Sequence, residues 1–366
     1  MKTLVILVNF FSAFLTKQAV YSILNSESLG PVEIVVVDNS ADASEANLLK
    51  KILPSEIKII AASQNLGFGR ACNLASEKSS SDCILLLNPD ARLLPKALKR
   101  MQQTLFAFPR IAAVGPQVYW DDDLTFLLPP SYPPDLFLWQ PVLDSWGDNG
   151  FFYNIVKALW RFFAIKVWRA KRPVSVPALS GGHMLLKTSL VKKGTDLFDP
   201  SFFMYFEDTD LCKRLRYHGY KLLVEPRAKV VHNYNQSGGP AFYDFKKACM
   251  IQSRDIYMEK HLTSRIRFFH RLLKNRWKTK RNLYVPYSFT SSFCIDISPE
   301  LSKNWLFEWS PNVDFIPSAG SFGHGPVMEF SESLWNMLPP KQFYGRIGNP
   351  DIFLQKYNLF SWKKCG

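Results

Sequence analysis

The sequence predicts an α/β protein with a mixed, mainly parallel sheet, a basic helical segment and a small β-rich C-terminal module. Apolar runs of strand length alternate with helical patterns over residues 1–240, which is typical of such a sheet with helices on both faces. Basic residues dominate residues 241–284, and short β-like runs separated by Pro, Gly and Ser fill residues 285–366. We therefore predict these three ranges as domains, with an insertion at about 120–173 in the first.

The composition indicates a globular protein with a sizeable core, since 47% of its 366 residues are hydrophobic. Six cysteines are scattered without a Cys-x-x-Cys pair, which argues against a disulfide framework or a zinc site and favours a reducing compartment. The apolar run after Lys2 is short and ends at Asn9, so we predict a first strand rather than a signal peptide. No apolar stretch of the sequence is long enough to span a membrane.

The elements of the first predicted domain follow in a regular order. Strands are expected at 4–9, 34–37, 57–61, 85–87 and 112–115. Helices are expected at 14–24, through Leu48 and Leu49, around Asn73, and from near Pro95, because Pro favours the first helical turn. After a stretch at 119–141 rich in Pro, Asp and aromatic residues, we predict a strand at 184–186, a helix at 208–218 and strands at 220–225 and 229–232.

Two carboxylates directly follow predicted parallel strands. Asp90 comes after an apolar run that stops at Asn88 and Pro89, and Asp38 ends a Val-rich strand. Ligands of open α/β sheets bind at the carboxyl ends of the strands, so both carboxylates are candidates for a nucleotide site. Asp38 could accept the ring N–H of a pyrimidine base, but a turn or a helix cap explains such an Asp as well.

The segment Asn65-Leu66-Gly67-Phe68-Gly69 contains part of a dinucleotide-binding fingerprint. Cys72 stands where the third glycine is needed, and no acidic residue ends a strand at the expected spacing, so we exclude NAD binding. The glycines either let the backbone approach a ligand closely or form a plain turn.

Glu207, Asp208 and Asp210 place three carboxylates at the predicted start of a helix, behind an aromatic run. Apolar surroundings and neighbouring carboxylates raise a carboxyl pKa, which suits a general base. The alternative is that these acids stabilise the helix dipole. His232 ends a predicted strand and needs a partner such as Asp90 to become a metal ligand.

Seven segments, taken together and in order, resemble an inverting glycosyltransferase of family 2 with the Rossmann-like GT-A fold, and within it the bacterial rhamnosyltransferase-like group. They lie within roughly residues 1–240, and their joint spacing is more specific than any one motif. The segments are LVILVNF, VVVDNS, NLGFGRACN, ILLLNPDARLLP, SGGHMLLKTSL, FFMYFEDTDLCKRLRYHGYKL and VVHNYNQSGG.

The resemblance implies a catalytic base at Asp208, supported by Glu207, and a divalent metal ion, Mn²⁺ or Mg²⁺, held by Asp90 and His232. Asn88 departs from the Asp-x-Asp metal motif of the family, so the site has one carboxylate fewer. The remaining residues expected to bind the nucleotide-sugar, from nucleobase to sugar diphosphate, are Asp38, Asn65, Gly67, Asn73, Asn88, Gly181 and Gly182.

The net charge of +14 is concentrated in two stretches. Residues 151–172 hold six basic and no acidic residues, and residues 242–281 hold twelve basic and three acidic ones. In the first stretch we expect Lys157, Arg161, Arg169 and Arg172 on one face of a helix and Ile155, Val156, Leu159, Phe162 and Phe163 on the other. Basic residues opposite apolar ones predict contact with an anionic membrane surface. A core helix and a nucleic-acid patch are the alternatives.

These observations predict an inverting, metal-dependent glycosyltransferase, located in the cytoplasm at the inner face of the cell membrane. The resemblance implies a dTDP- or UDP-linked donor, with rhamnose favoured, and a glycan or lipid-linked oligosaccharide acceptor in surface polysaccharide synthesis such as O-antigen. A catalytically silent glycan- or sugar-nucleotide-binding protein on the same fold is the alternative. A nucleic-acid partner is not expected, because no recognised motif supports one. Trp305 and Trp309 in the C-terminal module either stack on sugars or lie in its core.

Overall fold

The computed structural model describes residues 1–77, 79–132, 151–190, 196–233, 243–264, 288–355 and 357–364. The chain forms two compact units. The first unit comprises the described residues within Met1–Val118, Ser131–Pro134 and Ala170–Phe268. The second unit comprises those within Tyr119–Pro130, Asp135–Arg169 and Phe269–Gly366. Residues 151–169, which we expected as part of an insertion in the first domain, therefore belong to the second unit.

A mixed sheet forms the centre of the first unit, as predicted. Among the described residues it has nine strands, in the order β3-β2-β1-β4-β8-β6-β9-β5, with β7 paired to β9. Strands β1 to β4 are parallel, whereas β8 runs antiparallel to β4. The strands are β1 Thr3–Asn9, β2 Val32–Asp38, β3 Lys58–Ala61, β4 Cys83–Leu87, β5 Ala91–Leu93, β6 Ile111–Tyr119, β7 Val174–Ser175, β8 His183–Lys187 and β9 Lys221–His232.

Burial explains why the central strands are continuous apolar runs. Every residue of β1 and of β4 is buried, as expected for parallel strands covered on both faces. The edge strand β3 is only partly buried. The helices of this unit are α1 Ala13–Leu24, α2 Ala43–Ile52, α3 Phe68–Ser76, α4 Ala97–Ala107, α6 Glu207–Tyr217 and α7 Tyr243–His261. The strand predictions 220–225 and 229–232 merge into the single strand β9.

Parallel pairing brings the candidate ligand-binding residues to one edge of the sheet. Asn9 at the end of β1 is paired in register with Asp38 at the end of β2. Strand β4 lies on the other side of β1 and ends at Leu87, directly before Asn88. The carboxyl ends of three neighbouring strands therefore meet at the edge where ligands of open α/β sheets bind.

The second unit contains the predicted β-rich module. A five-stranded sheet has the order β10-β16-β15-β12-β13, and β11 pairs with β14. Its core is aromatic: Trp305 and Trp309 are buried, which favours the core over a sugar-stacking surface. The elements are α5 Phe151–Trp168, β10 Ser288–Phe289, β11 Phe293–Asp296, β12 Trp305–Ser310, β13 Ala319–Gly323, β14 Val327–Phe330, α8 Glu332–Met337, β15 Gln342–Gly348 and β16 Asn358–Lys363.

Helix α5 forms where we predicted it, but its faces differ from the expected ones. Arg161, expected on a basic face, is 2% exposed and forms a 2.7 Å ion pair with the buried Glu308. Leu159 and Phe162, expected on a common apolar face, are exposed. A buried carboxylate needs a cation, so Glu308 decides which side of α5 faces inward.

Two further expectations concern the membrane. Of the second basic stretch, residues 265–281 lie outside the described residues. Within the described parts of the chain, no helix combines the length and the apolar character needed to cross a membrane.

Candidate active site

Asp38 lies at one end of the site with a carboxylate oxygen available to a ligand. It is 1% exposed, and its Oδ1 accepts hydrogen bonds from the Asn9 side chain at 3.1 Å and the Ser40 N–H at 3.2 Å. Oδ2 has no hydrogen-bond partner among the described residues. A fixed carboxylate with one unused oxygen is suited to accept a ring N–H.

Asn65 and Gly67 form a turn that is tied to the end of β2. The Asn39 side chain donates to Asn65 Oδ1 at 2.8 Å and accepts from the Leu66 N–H at 2.7 Å. Gly67 has φ +77°, and a Cβ at this position would collide with the carbonyl oxygen of Phe203. Glycine is therefore required both for the backbone conformation and for the close approach of the 202–206 loop.

Asn73 is placed one helical turn further on, in α3. Its side chain donates to the carbonyl of Phe198 at 2.8 Å and accepts from the N–H of the same residue at 2.8 Å. The amide therefore anchors the segment that leads into the acidic motif. We expected Asn73 near the nucleotide, and the contacts described show it supporting the loop.

Asp90 and His232 lie side by side, as the resemblance implied. Both are buried, and His232 Nε2 is 3.0 Å from Asp90 Oδ1. The pairing of Ala91 with His232 between β5 and β9 fixes this contact, although the residues are 142 positions apart. The 3.0 Å separation is a hydrogen-bond distance, and a carboxylate oxygen and an imidazole nitrogen are also groups that suit Mn²⁺.

His183 adjoins this pair, and sequence reasoning did not single it out. Its ring centroid is 5.8 Å from that of His232, and its buried Nδ1 has no hydrogen-bond partner in the described structure. Burial, the main cause, and the neighbouring His232 lower the pKa of His183 to about 3. The ring is therefore neutral at physiological pH and has an unused nitrogen beside Asp90 and His232.

The group of Asn88, Gly182 and His183 is held together by strand pairing. Leu87 pairs with His183, and the Asn88 N–H donates to the Gly182 carbonyl at 2.9 Å. A Cβ on Gly182 would lie 2.7 Å from the Asn88 side-chain nitrogen, so glycine is needed here for space. The described residues contain no cluster of three His, Cys, Asp or Glu side chains that could hold a metal ion.

Lys246 is a second residue that sequence reasoning did not place in the site. It lies on α7, and we had counted it only as part of a basic stretch. Burial lowers the pKa of its ammonium group, and the Asp90 carboxylate opposes that effect. A cation is therefore close to the Asp90 end of the site.

Asp208 lies at the first turn of α6 and is only partly buried. Its Oδ2 accepts from the Gly181 N–H at 2.9 Å, and its Oδ1 accepts from the Thr209 N–H at 2.6 Å. Burial raises the pKa of Asp208, while these hydrogen bonds lower it. A positioned carboxylate with a raised pKa is the chemistry of a general base.

Glu207 is the more deeply buried of the two neighbouring acids. It is 5% exposed, and its Oε2 has no hydrogen-bond partner in the described structure. Burial first, and then the neighbouring Asp208, raise the pKa of Glu207 to about 8. Glu207 is therefore mainly protonated at neutral pH and leaves Asp208 as the carboxylate of this pair.

The backbone before Asp208 is held in an uncommon conformation. Tyr205 and Phe206 have φ values of 73° and 66°, in the left-handed region that costs energy for residues with side chains. Helix α7 stabilises this segment, since Ser253 donates to the Met204 carbonyl at 2.8 Å. Asp210 ties the same two elements together through its ion pair with Lys260 at 2.7 Å.

The structure thus brings most of the predicted site residues into one connected arrangement. Asp208 contacts Gly181, Gly182 contacts Asn88, and Asp90 contacts His232. Asp38 and Asn65 form the other end, joined through Asn39. The two ends are adjacent at the start of α3. Phe68, which follows Gly67, lies next to Gly181, since a Cβ on Gly181 would be 3.2 Å from the Phe68 ring.

The glycosyl transferase family 2 model matches residues 5–168. The matched residues make up less than half of the 366-residue chain, and over them the chain is similar to glycosyltransferase family 2. The predicted resemblance to this family is thereby confirmed, and the activity it indicates is that of a glycosyltransferase. The match covers Asp38, Asn65, Gly67, Asn88 and Asp90 but ends before Asp208 and His232.

A curated relative of this glycosyltransferase is N-acetylglucosaminyl-diphospho-decaprenol L-rhamnosyltransferase of Mycobacterium tuberculosis, from two strains. The identity is 24% over 227 residues, which are 57% of this chain and 69% of the relative. The rhamnosyltransferase-like resemblance is thereby supported.

Two solved glycosyltransferases are similar in structure. GalNAc-T7 with UDP, GalNAc and Mn²⁺ has a TM-score of 0.44 at 14% identity, over 63% of this chain and 44% of its own length. Mannosyltransferase PcManGT from Pyrobaculum calidifontis, in complex with GDP-Man and Mn²⁺, has a TM-score of 0.45 at 15% identity, over 74% of this chain and 68% of its own length.

Proposed function

We propose that this protein is an inverting transferase that moves a sugar, with rhamnose favoured, from a dTDP- or UDP-linked donor to a glycan acceptor. The observation that carries the proposal is the placement of Asp208. Its partly exposed carboxylate is linked through Gly181 and Gly182 to Asn88, next to the Asp90–His232 pair. A base and a diphosphate-binding end are thus adjacent.

Each residue group has a role in a single displacement. Asp38 accepts the ring N–H of the base, and the Asn65–Gly67 turn borders the nucleotide. Asp208 removes the proton from the acceptor hydroxyl, whose oxygen attacks the anomeric carbon on the face opposite the leaving diphosphate. The C–O bond to the diphosphate breaks as the new glycosidic bond forms, so the anomeric configuration inverts. A positioned base contributes on the order of 10² to 10⁴ in rate.

Asp90 and His232 are the residues that would hold a divalent ion, Mn²⁺ or Mg²⁺, with the unused nitrogen of His183 beside them. The adjacency of the buried Asp90 and His232 side chains and the unpartnered Nδ1 of His183 in the described structure support this assignment. A bound ion supplies neutralisation of the diphosphate charge. Lys246 adds a positive charge at the same end.

The acceptor and the location are further parts of the proposal. The mycobacterial relative is named for an N-acetylglucosaminyl-diphospho-decaprenol substrate. We infer a lipid-linked oligosaccharide acceptor in the synthesis of a surface polysaccharide such as O-antigen. The enzyme then works in the cytoplasm, peripherally at the inner face of the membrane, in contact with an anionic lipid surface.

A nucleotide-sugar panel with and without Mn²⁺ tests this proposal. A ligand that binds the folded state raises the thermal midpoint according to its affinity, so the correct donor should give the largest shift and also release nucleoside diphosphate. Asp90→Asn and His232→Gln should lose the Mn²⁺-dependent part of the shift. Asp255→Asn, which alters an exposed carboxylate, is the matched control. Binding without turnover, in the presence of lipid-linked acceptors, would instead indicate a silent sugar-nucleotide-binding protein.

A further inference from the structure

The second unit contains a cavity of about 480 Å³ that the transfer reaction does not use. Helix α5 forms one wall with Lys157, and Phe353, Leu354 and Tyr357 line another. Arg346 of β15 and Phe315 also line the cavity. All of these residues belong to one compact unit, so the cavity is a property of that unit itself.

Arg346, which lines the cavity, belongs to a buried ion cluster with an excess of positive charge. Arg161 and Arg346 share the single carboxylate of Glu308, with contacts of 2.7 and 2.8 Å, and all three side chains are at most 5% exposed. The two guanidinium groups hold the pKa of Glu308 below its ordinary value despite burial, so the carboxylate is ionised. Two buried cations and one anion leave a net charge of +1, which an anionic ligand would compensate.

Arg346 has donors left for such a ligand. Its Nε and Nη2 bind Glu308, but Nη1 has no hydrogen-bond partner among the described residues. The guanidinium lies between the rings of Phe315 and Tyr357, at 4.4 and 4.6 Å from their centroids. These contacts fix a cation that is 4% exposed and lines the cavity. Fixed guanidinium donors are a common way to bind phosphate.

Exposed apolar side chains surround this cationic cavity. Leu159 and Phe162 are 55% and 60% exposed on α5, and their spacing of three residues puts them on one helix face. The Phe162 ring is 6.2 Å from that of Phe353, and Arg161 donates to the Ile352 carbonyl at 3.1 Å. We call the exposed residues Leu159, Phe162, Ile352, Phe353 and Leu354 the apolar rim.

We propose that the apolar rim docks on an anionic lipid bilayer and that the cavity binds the phosphate of a lipid headgroup through Arg346 and Lys157. Charge complementarity selects the occupant, because a cationic cavity bordered by apolar side chains matches the boundary between headgroups and acyl chains. A soluble glycan would leave the apolar rim in water. This inference rests on the proposed function in one respect, namely that the enzyme works at a membrane, and it names the surface that does so.

Vesicle sedimentation of the full chain tests the docking surface. Wild-type protein should bind vesicles of phosphatidylcholine with phosphatidylglycerol, bind pure phosphatidylcholine at least about tenfold more weakly, and lose affinity as salt screens the headgroups. Leu159→Ser with Phe162→Ser, and separately Lys157→Glu, should each reduce binding about tenfold or more. Matched controls are Phe108→Ser, at a 68% exposed position in the first unit, and Lys303→Glu, an identical charge change in the second unit.

Each outcome of these measurements either supports or contradicts the proposed membrane contact. Equal binding to neutral and anionic vesicles contradicts an anionic lipid headgroup in the cavity, and wild-type binding by the Leu159/Phe162 variant contradicts docking through the apolar rim. The nucleotide-dependent thermal shift is measured on the same preparations. A variant that keeps this shift while losing vesicles has an intact transfer site. If the wild-type chain shows the shift and binds no vesicles, this inference fails and the proposed transfer reaction stands.

Discussion

Buried glutamates in the two units have opposite electrostatic surroundings. In the first unit, Glu207 is 5% exposed, and burial raises its pKa to about 8. In the second unit, Glu308 is completely buried, yet Arg346 and Arg161 hold its pKa below the ordinary value. Glu308 is ionised and joins β12, β15 and α5, whereas Glu207 is kept neutral beside Asp208, the proposed base. Burial alone therefore does not set the charge of a buried carboxylate. The presence or absence of neighbouring cations decides whether it is ionised.

The same contrast occurs within α6. Asp210 is fully buried, and its carboxylate contacts Arg214 at 2.8 Å, Lys260 at 2.7 Å and His261 at 2.7 Å. Burial raises the pKa of Asp210, but these three partners lower it by more. The pKa of Asp210 therefore lies below its ordinary value. Asp208, two residues earlier, has no ion pair with a lysine or arginine among the described residues, and its pKa is raised. The helix thus carries Asp210, which is paired with cations, and Asp208, the proposed base, two residues apart.

The largest effect should follow from replacing Asp208, the proposed base. Asp208→Asn keeps the size of the side chain but removes the base, so we expect transfer to fall by about 10² to 10⁴. Nucleotide binding should persist, because Asp38 and Asp90 lie at other points of the site. Sugar transfer, measured as release of nucleoside diphosphate, and the nucleotide-dependent thermal shift check the two expectations.

Asp255→Asn is the control for this variant, since it changes an exposed carboxylate in the same unit. Wild-type transfer rates in Asp208→Asn would remove Asp208 as the base. A loss of nucleotide binding as well as transfer would mean that the substitution disturbs the site as a whole.

The anchoring role in the second unit predicts a loss of stability rather than of chemistry. Glu308→Gln leaves Arg161 and Arg346 buried without a counter-charge, which costs about 3 to 5 kcal/mol of unfolding free energy for this kind of pair. Urea unfolding at neutral pH, followed by the fluorescence of the tryptophans packed around β12, measures it. Glu329→Gln, at an exposed position of β14, should leave the midpoint unchanged. An unchanged midpoint in Glu308→Gln would show that the two arginines are stable without the carboxylate.

The sequence supported the prediction of the strand–helix order and of the strand-end acids, because apolar runs and turn residues are local signals. His183 and Lys246 could not be found in this way. His183 joins the site only through the pairing of β8 with β4, and Lys246 only through the packing of α7. The orientation of α5 was mispredicted for the same reason, since the partner of Arg161 is 147 residues away. Contacts between distant segments decide which polar residues meet, and the periodicity within one segment carries no information about such contacts.

The smallest effect concerns Glu207 and is a dependence on pH. In the folded protein its pKa is about 8, well above the ordinary value of 4.5, so between these limits the folded state keeps a proton that the unfolded state has released. This contribution to stability is fully present below the unfolded pKa and is lost as pH rises through the folded pKa. The wild type should therefore lose about 3 kcal/mol between pH 5 and pH 8 from this group, because each pH unit in this window costs about 1.4 kcal/mol.

Glu207→Gln replaces the protonated acid by a neutral amide and should lack this loss, so its stability relative to the wild type should increase from pH 5 to pH 8. Urea unfolding at several pH values measures the difference, and Glu56→Gln, at an exposed position of the first unit, should show none. Parallel pH profiles for the wild type and Glu207→Gln would mean that Glu207 is ionised in the folded protein. Glu207 would then be charged, as Glu308 is. Only Asp208 would still differ from Glu308 by having a raised pKa.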